Sequence, residues 1–121
     1  MKILICENED ILLTALKFRL TKKNHELILA KDGDEAAQAL MSESPDLVIT
    51  ELNLPKTSGL ELLHLAHKKV APDLPFIIIA SIEFAEQILE ILAEGARDFL
   101  VKPFKPNELL LRIEKIKQEN K

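Results

Sequence analysis

The chain has 121 residues, long enough for one domain with its own core and no disulfide or metal staple. Apolar residues make up 47% and charged residues 30%, which excludes disorder as a description of the whole chain. The 20 Asp and Glu outnumber the 16 Lys and Arg, and a net charge of -4 excludes a strongly basic nucleic-acid binder.

The chain opens on an apolar run, Ile3 to Cys6, with Glu7 directly after it. The run is too short, and too acidic afterwards, for a signal peptide. It reads as a strand. Ile11 to Lys23 then has helical spacing, with Ile11, Leu12, Ala15, Leu16 and Leu20 apolar and Lys17, Arg19, Lys22 and Lys23 facing water. Leu27 to Ala30 is a second strand and Gly33 to Ser42 a second helix, with Ala36, Ala37, Leu40 and Met41 inward. Leu47 to Ile49 is a third strand. Ser58 to Lys69 follows as a helix burying Leu60, Leu62, Leu63, Leu65 and Ala66. Phe76 to Ala80 is a fourth strand, and Glu83 to Glu94 a helix built on Ile88, Leu89, Ile91 and Leu92, ended by Gly95. Phe99 to Val101 is the fifth strand. Pro106 suits the first turn of a last helix, reaching Gln118, with Leu109, Leu110, Ile113 and Ile116 inward. Nearly continuous apolar strands are expected to be buried on both faces. Phe18, Phe76, Phe84 and Phe104 are expected in or near the core.

Five strand–helix repeats imply a parallel sheet with helices on both faces. Ligands of such sheets bind beyond the carboxyl ends of the strands. The residues to read are therefore Glu7-Asn8, Asp32, Glu51 to Pro55, Ala80-Ser81 and Lys102-Pro103. A flavin-binding or nucleotide-binding reading needs a Gly-rich phosphate loop after a strand. The first strand instead runs into Glu7-Asn8-Glu9-Asp10, whose carboxylates repel phosphate. Cys6 is a lone thiol, expected in the core. His64 and His67 sit three apart without further metal ligands and read as solvated helix surface. No apolar run approaches the length of a membrane span, so a cytoplasmic protein is expected. Residues 1–121 read as one domain, and the polar end from Gln118 to Lys121 could open a linker to a second one.

Three segments carry the sharpest signal: Asp46-Leu47-Val48-Ile49-Thr50-Glu51-Leu52-Asn53-Leu54-Pro55, Ser58-Gly59-Leu60-Glu61, and Gly95 through Phe99-Leu100-Val101-Lys102-Pro103-Phe104. In this order, over essentially the whole chain, they resemble the receiver domain of bacterial two-component response regulators. The resemblance implies a flavodoxin-like (βα)5 fold with strand order 2-1-3-4-5. It also implies a phosphoacceptor aspartate ending the third strand, two acids after the first strand that hold Mg²⁺, a hydroxyl after the fourth and a lysine after the fifth. A phosphoryl group on a carboxylate needs such cations and donors around it.

This chain departs from that pattern. Glu51 stands at the phosphoacceptor position, and the paired acids are Glu7 and Asn8. Counting from Pro75 and back from Lys102 puts Ala80 at the hydroxyl position. Ser81 comes one residue later, on the opposite face if the strand continues. Lys102 matches. Asn53 matches a backbone metal ligand and Phe99 the aromatic switch. The implied Mg²⁺ set of Glu7, Asn8, Glu51 and Asn53 has lost a charge, so the ion is expected to be held weakly or not at all. A carboxylate one methylene too long also misplaces the acceptor, and about 1 Å can cost on the order of 100-fold. The expectation is a non-enzymatic pseudo-receiver that acts by protein contact with a partner or cognate histidine kinase. Glu51 could mimic a phosphorylated aspartate or merely balance Lys102. The alternatives are an active receiver phosphorylated with Mg²⁺ and, less favoured, a flavin-binding electron carrier. The resemblance also implies a docking or homodimer face on the fourth helix, fifth strand and fifth helix, with Glu94, Asp98, Glu108 and Arg112 as its charges. DNA would be reached only through an output domain absent from this sequence.

Overall fold

The computed structural model describes residues 1–119. Asn120 and Lys121, at the polar end where a linker was expected, lie outside the described residues. Five strands, β1 (Lys2–Cys6), β2 (Glu26–Ala30), β3 (Leu47–Glu51), β4 (Phe76–Ser81) and β5 (Asp98–Lys102), form one sheet in the order β2-β1-β3-β4-β5. Every pairing is parallel, with Ile3 beside Leu47, Ile49 beside Ile77 and Ile79 beside Leu100. The fold is the expected flavodoxin-like one. Five α-helices cover the sheet: α1 (Asp10–Lys22), α2 (Gly33–Glu43), α3 (Gly59–Lys69), α4 (Ile88–Ala93) and α5 (Pro106–Glu119).

Alternation along the strands divides the core in two. Ile3, Ile5, Ile49, Ile79 and Leu100 face α1 and α5, where they meet Leu13, Leu16, Leu20, Leu109 and Ile113. Leu4, Cys6, Val48, Ile78, Ala80 and Phe99 face α2, α3 and α4. Ser58 and Asp32 cap α3 and α2 by accepting hydrogen bonds from the amides of Glu61 (3.2 Å) and Glu35 (2.9 Å). Gly59 is required by contact. A Cβ there would lie 2.7 Å from the carbonyl oxygen of Glu51, so α3 starts directly against the end of β3.

Several expectations fail in detail. The strand Leu27 to Ala30 is not buried on both faces, because β2 is an edge and only Ala30 within it is fully covered. The inward face of α1 is Leu13, Leu16 and Leu20, whereas Ile11 and Ala15 point to solvent. Phe18, Met41 and Leu89 are also exposed. The helix expected over Glu83 to Glu94 is broken. Residues Ile82–Gln87 form a 3₁₀ helix with no fully buried side chain, and in the six-residue α4 Ile91 alone is fully buried, while Phe84, Ile88 and Leu92 pack against the core partly covered. A segment whose apolar side chains are mostly only partly covered gains less of the packing that stabilises a long α-helix. His67 is half-buried rather than solvated. Its Nε2 donates to the Leu74 carbonyl at 2.8 Å and its ring meets Phe76 edge-on.

Candidate functional site

The site follows from strand parity. Glu7, Glu51, Ser81 and Lys102 each lie two residues beyond a core residue of the α1–α5 side, namely Ile5, Ile49, Ile79 and Leu100. All four therefore emerge on one face at the carboxyl end of the sheet. They line a cavity of about 550 Å³ with Asn8, Glu9, Asn53 and the apolar Leu12, Pro103 and Phe104.

Lys102 is its centre. The ammonium nitrogen lies 2.7 Å from Glu51 Oε2 and 3.1 Å from Glu7 Oε1, and it also pairs with Glu9. The Glu9 amide donates to Glu7 Oε2 at 3.0 Å, which turns the chain tightly as it leaves β1. Glu9 is the N-cap of α1, yet its side chain makes no cap hydrogen bond, since its carboxylate is on Lys102. Glu7 is 1% and Glu51 8% exposed. Burial pushes the Glu51 carboxyl above its ordinary range; Lys102 pulls it back and the charge of Glu7 adds to the rise. Burial alone would lower the Lys102 ammonium, but its hydrogen bonds to Glu51 and Glu9 and the charge of Glu7 outweigh that and raise it.

The other expected positions divide between the two faces. β4 continues through Ser81, so Ser81 lines the cavity, while Ala80 is wholly buried on the opposite face with Phe99. No hydroxyl is available at residue 80. Asn8 and Asn53 reach the cavity from exposed turns. Glu9 and Phe104 were not among the expected site residues. Glu9 had a signal in its spacing two residues after Glu7; Phe104 had none beyond following Lys102-Pro103.

The implied Mg²⁺ can be tested against this arrangement. Three carboxylates, of Glu7, Glu9 and Glu51, converge on one ammonium, which lies where a divalent cation would need to be. Asn8 adds only a neutral amide. Among the described residues no group of three or more His, Cys, Asp or Glu is disposed to hold a metal ion. So arranged, the residues do not fit Mg²⁺, a hard cation that demands near-ideal octahedral oxygen ligands.

The expected interaction charges are engaged within the chain. Arg112 Nε lies 3.3 Å from Asp98 Oδ2. Glu94 is turned toward α3, 2.9 Å from His64 Nε2, and Glu108 accepts from the Lys105 amide at 3.2 Å at the start of α5. The histidines do not come together on a ligand. Among the described residues no helix is long and apolar enough to cross a membrane.

Comparison with known proteins agrees with this architecture. The family model for the response regulator receiver domain matches residues 3–114. The alkaline phosphatase synthesis transcriptional regulatory protein PhoP of Bacillus subtilis (strain 168) is 31% identical over 115 residues, which are 95% of this chain and 48% of that protein. The two-component response regulator-like PRR73 of Oryza sativa subsp. japonica is 36% identical over 112 residues, 90% of this chain and 15% of that protein. The chain thus spans about half the length of the first relative and a smaller part of the second. Among solved structures, the non-phosphorylated HemR receiver domain from Leptospira biflexa superposes with a TM-score of 0.87 at 33% identity, covering 95% of this chain and 92% of that one. With its sheet order, its helix arrangement and the family match over nearly all its length, the chain belongs to the response regulator receiver domains of two-component signalling.

Proposed function

We propose that this receiver domain signals by protein contact without accepting a phosphoryl group, with Glu51 in the phosphoacceptor position. One observation carries the reading: the Lys102 ammonium sits 2.7 Å from Glu51 Oε2, an ion pair already made by the unmodified chain. Ala80 supports it, because the position buried beside Phe99 has no hydroxyl to report a change at Glu51 across the sheet. Glu51 then serves as a permanent charge in the pocket, and the domain performs no transfer chemistry of its own.

The reading extends to partners. The Bacillus relative is named a transcriptional regulatory protein and is about twice as long as this chain. An output domain outside this sequence would supply any DNA contact, and a histidine kinase or another protein would meet the receiver. A homodimer through α4, β5 and α5 belongs to the same reading. A cytoplasmic location fits a signalling domain with no spanning helix among its described residues.

Ser81, whose side chain reaches the cavity, favours a second reading in which its hydroxyl replaces the missing one and the receiver remains active. Incubation with acetyl phosphate and Mg²⁺, followed by intact-mass measurement, separates the two. The expected result is an unchanged mass. A stoichiometric gain of one phosphoryl group would overturn the proposal.

A further inference from the structure

A lysine ammonium has three N–H donors, and in this pocket three carboxylates meet one ammonium. Lys102 pairs with Glu7, Glu9 and Glu51, and its side chain is mostly buried. Glu7 Oε1 and Glu51 Oε2 are buried, and neither has a hydrogen-bond donor other than this ammonium. A buried carboxylate left without a cation is strongly destabilising, so the pocket needs a positive charge even when no ion is supplied from solution. Glu9 completes the set. It holds the N-cap position of α1 yet gives its carboxylate to Lys102, and its amide, 3.0 Å from Glu7 Oε2, fixes Glu7 beside it.

Two kinds of cation compete for such a place. Mg²⁺ brings twice the charge, but it dehydrates reluctantly and demands near-ideal octahedral oxygen ligands. Here Asn8 and Asn53, which would have to supply further oxygens, reach the cavity from exposed turns. The ammonium is carried on the chain by its own stem. It loses no translational freedom on entering, and it meets the carboxylates at an effective concentration that does not depend on the solution.

We propose that Lys102 is the resident cation of this pocket, standing where a divalent ion would be, and that Glu7, Glu9 and Glu51 form a latent divalent site which the ammonium keeps closed. Glu9 is the third ligand of that cation. With the three donors of Lys102 taken, none is left for a phosphoryl oxygen, and in this the inference rests on the reading of Glu51 as an unmodified charge. Removing the ammonium leaves three carboxylates facing one another with no cation among them, and a divalent ion from solution then becomes their partner.

Titration with Mn²⁺ alone, without a phosphodonor, tests this. Mn²⁺ takes the same carboxylate, carbonyl and water oxygens as Mg²⁺, and the electron paramagnetic resonance signal of the free ion reports how much is bound. The wild type should show no site up to about 5 mM Mn²⁺. Its urea midpoint should be the same in about 10 mM MgCl₂ as in NaCl of equal ionic strength. Lys102→Met removes the ammonium and keeps an unbranched apolar stem. This variant should bind one Mn²⁺ at least about tenfold more tightly than the wild type, and Mg²⁺ should raise its urea midpoint. Adding Glu9→Gln to it should weaken the binding again by about tenfold. A wild type that binds Mn²⁺ as tightly as Lys102→Met, a folded Lys102→Met that gains no site, one that circular dichroism shows unfolded even in about 10 mM Mg²⁺, or a site indifferent to Glu9→Gln would overturn the inference. Mn²⁺ binding by a wild type whose mass acetyl phosphate leaves unchanged would sink this inference alone and leave the proposed function standing.

Discussion

Glu51 is held in the pocket by strand geometry and opposed there by its own burial. Its carboxyl is raised above the ordinary value of 4.5 chiefly by desolvation, with Glu7 adding to the rise. A carboxyl raised in the folded state binds its proton more tightly there than in the unfolded chain. Its contribution to stability is therefore full below the ordinary value and is lost as pH rises through the folded one. Glu51→Gln keeps the shape and removes that loss, while Lys102 retains Glu7 and Glu9. The variant should have a higher urea midpoint than the wild type at pH 7, and the gap should close as pH falls toward 4.5. A lower midpoint at pH 7 would mean that the attraction to Lys102 outweighs burial. Cys6 is a simpler case. Burial pushes its thiol up to about 12. Its alkylation should be negligible in the folded protein and should follow global unfolding in a urea series.

At the scale of elements, α3 and the 3₁₀–α4 segment mark the extremes of packing. Gly59 places the start of α3 against the backbone of Glu51 and Leu52, with no room for a methyl group. Gly59→Ala should destabilise the domain by about 1–3 kcal/mol in urea unfolding, because either the helix or the end of β3 must shift. The segment from Ile82 to Ala93 is opposite in character. Its 3₁₀ part fully buries no side chain, the Ser81 cap makes no side-chain hydrogen bond, and Ile91 is its one fully buried residue, with Phe84, Ile88 and Leu92 only partly covered. Amide hydrogens there should exchange at least about tenfold faster than those in the middle of α3 or α5, since opening it disrupts few buried contacts. Equal protection would mean that the segment opens only with the whole domain. Sequence periodicity suggested one continuous helix here because Ile88, Leu89, Ile91 and Leu92 have helical spacing. Spacing records which side chains could be buried together, but only the neighbouring sheet determines that Leu89 is not.

At the scale of the molecule, the departures at Asn8 and Glu51 lie at the carboxyl end of an otherwise regular sheet and line the cavity, whereas Ala80 is wholly buried on the opposite face. Asn8→Asp and Glu51→Asp together, with Ser81 as the hydroxyl of the cavity, should let the domain gain one phosphoryl group from acetyl phosphate and Mg²⁺ in an intact-mass measurement, whereas Glu51→Asp alone should gain much less. Failure of the double variant to react would place the block elsewhere in the pocket. The sequence alone determined the succession of strands and helices, the parallel sheet and the residues that end each strand. Those features are written in local patterns of burial and in turn residues a few positions apart. Only the tertiary structure decided that Glu9 joins Glu7 and Glu51 on Lys102, that Ser81 rather than Ala80 reaches the cavity, and that Ile11 and Phe18 face water. Lys102 and Glu7 are 95 residues apart. Their meeting depends on strand order and on which face each side chain takes, and a one-residue shift in a strand exchanges those faces.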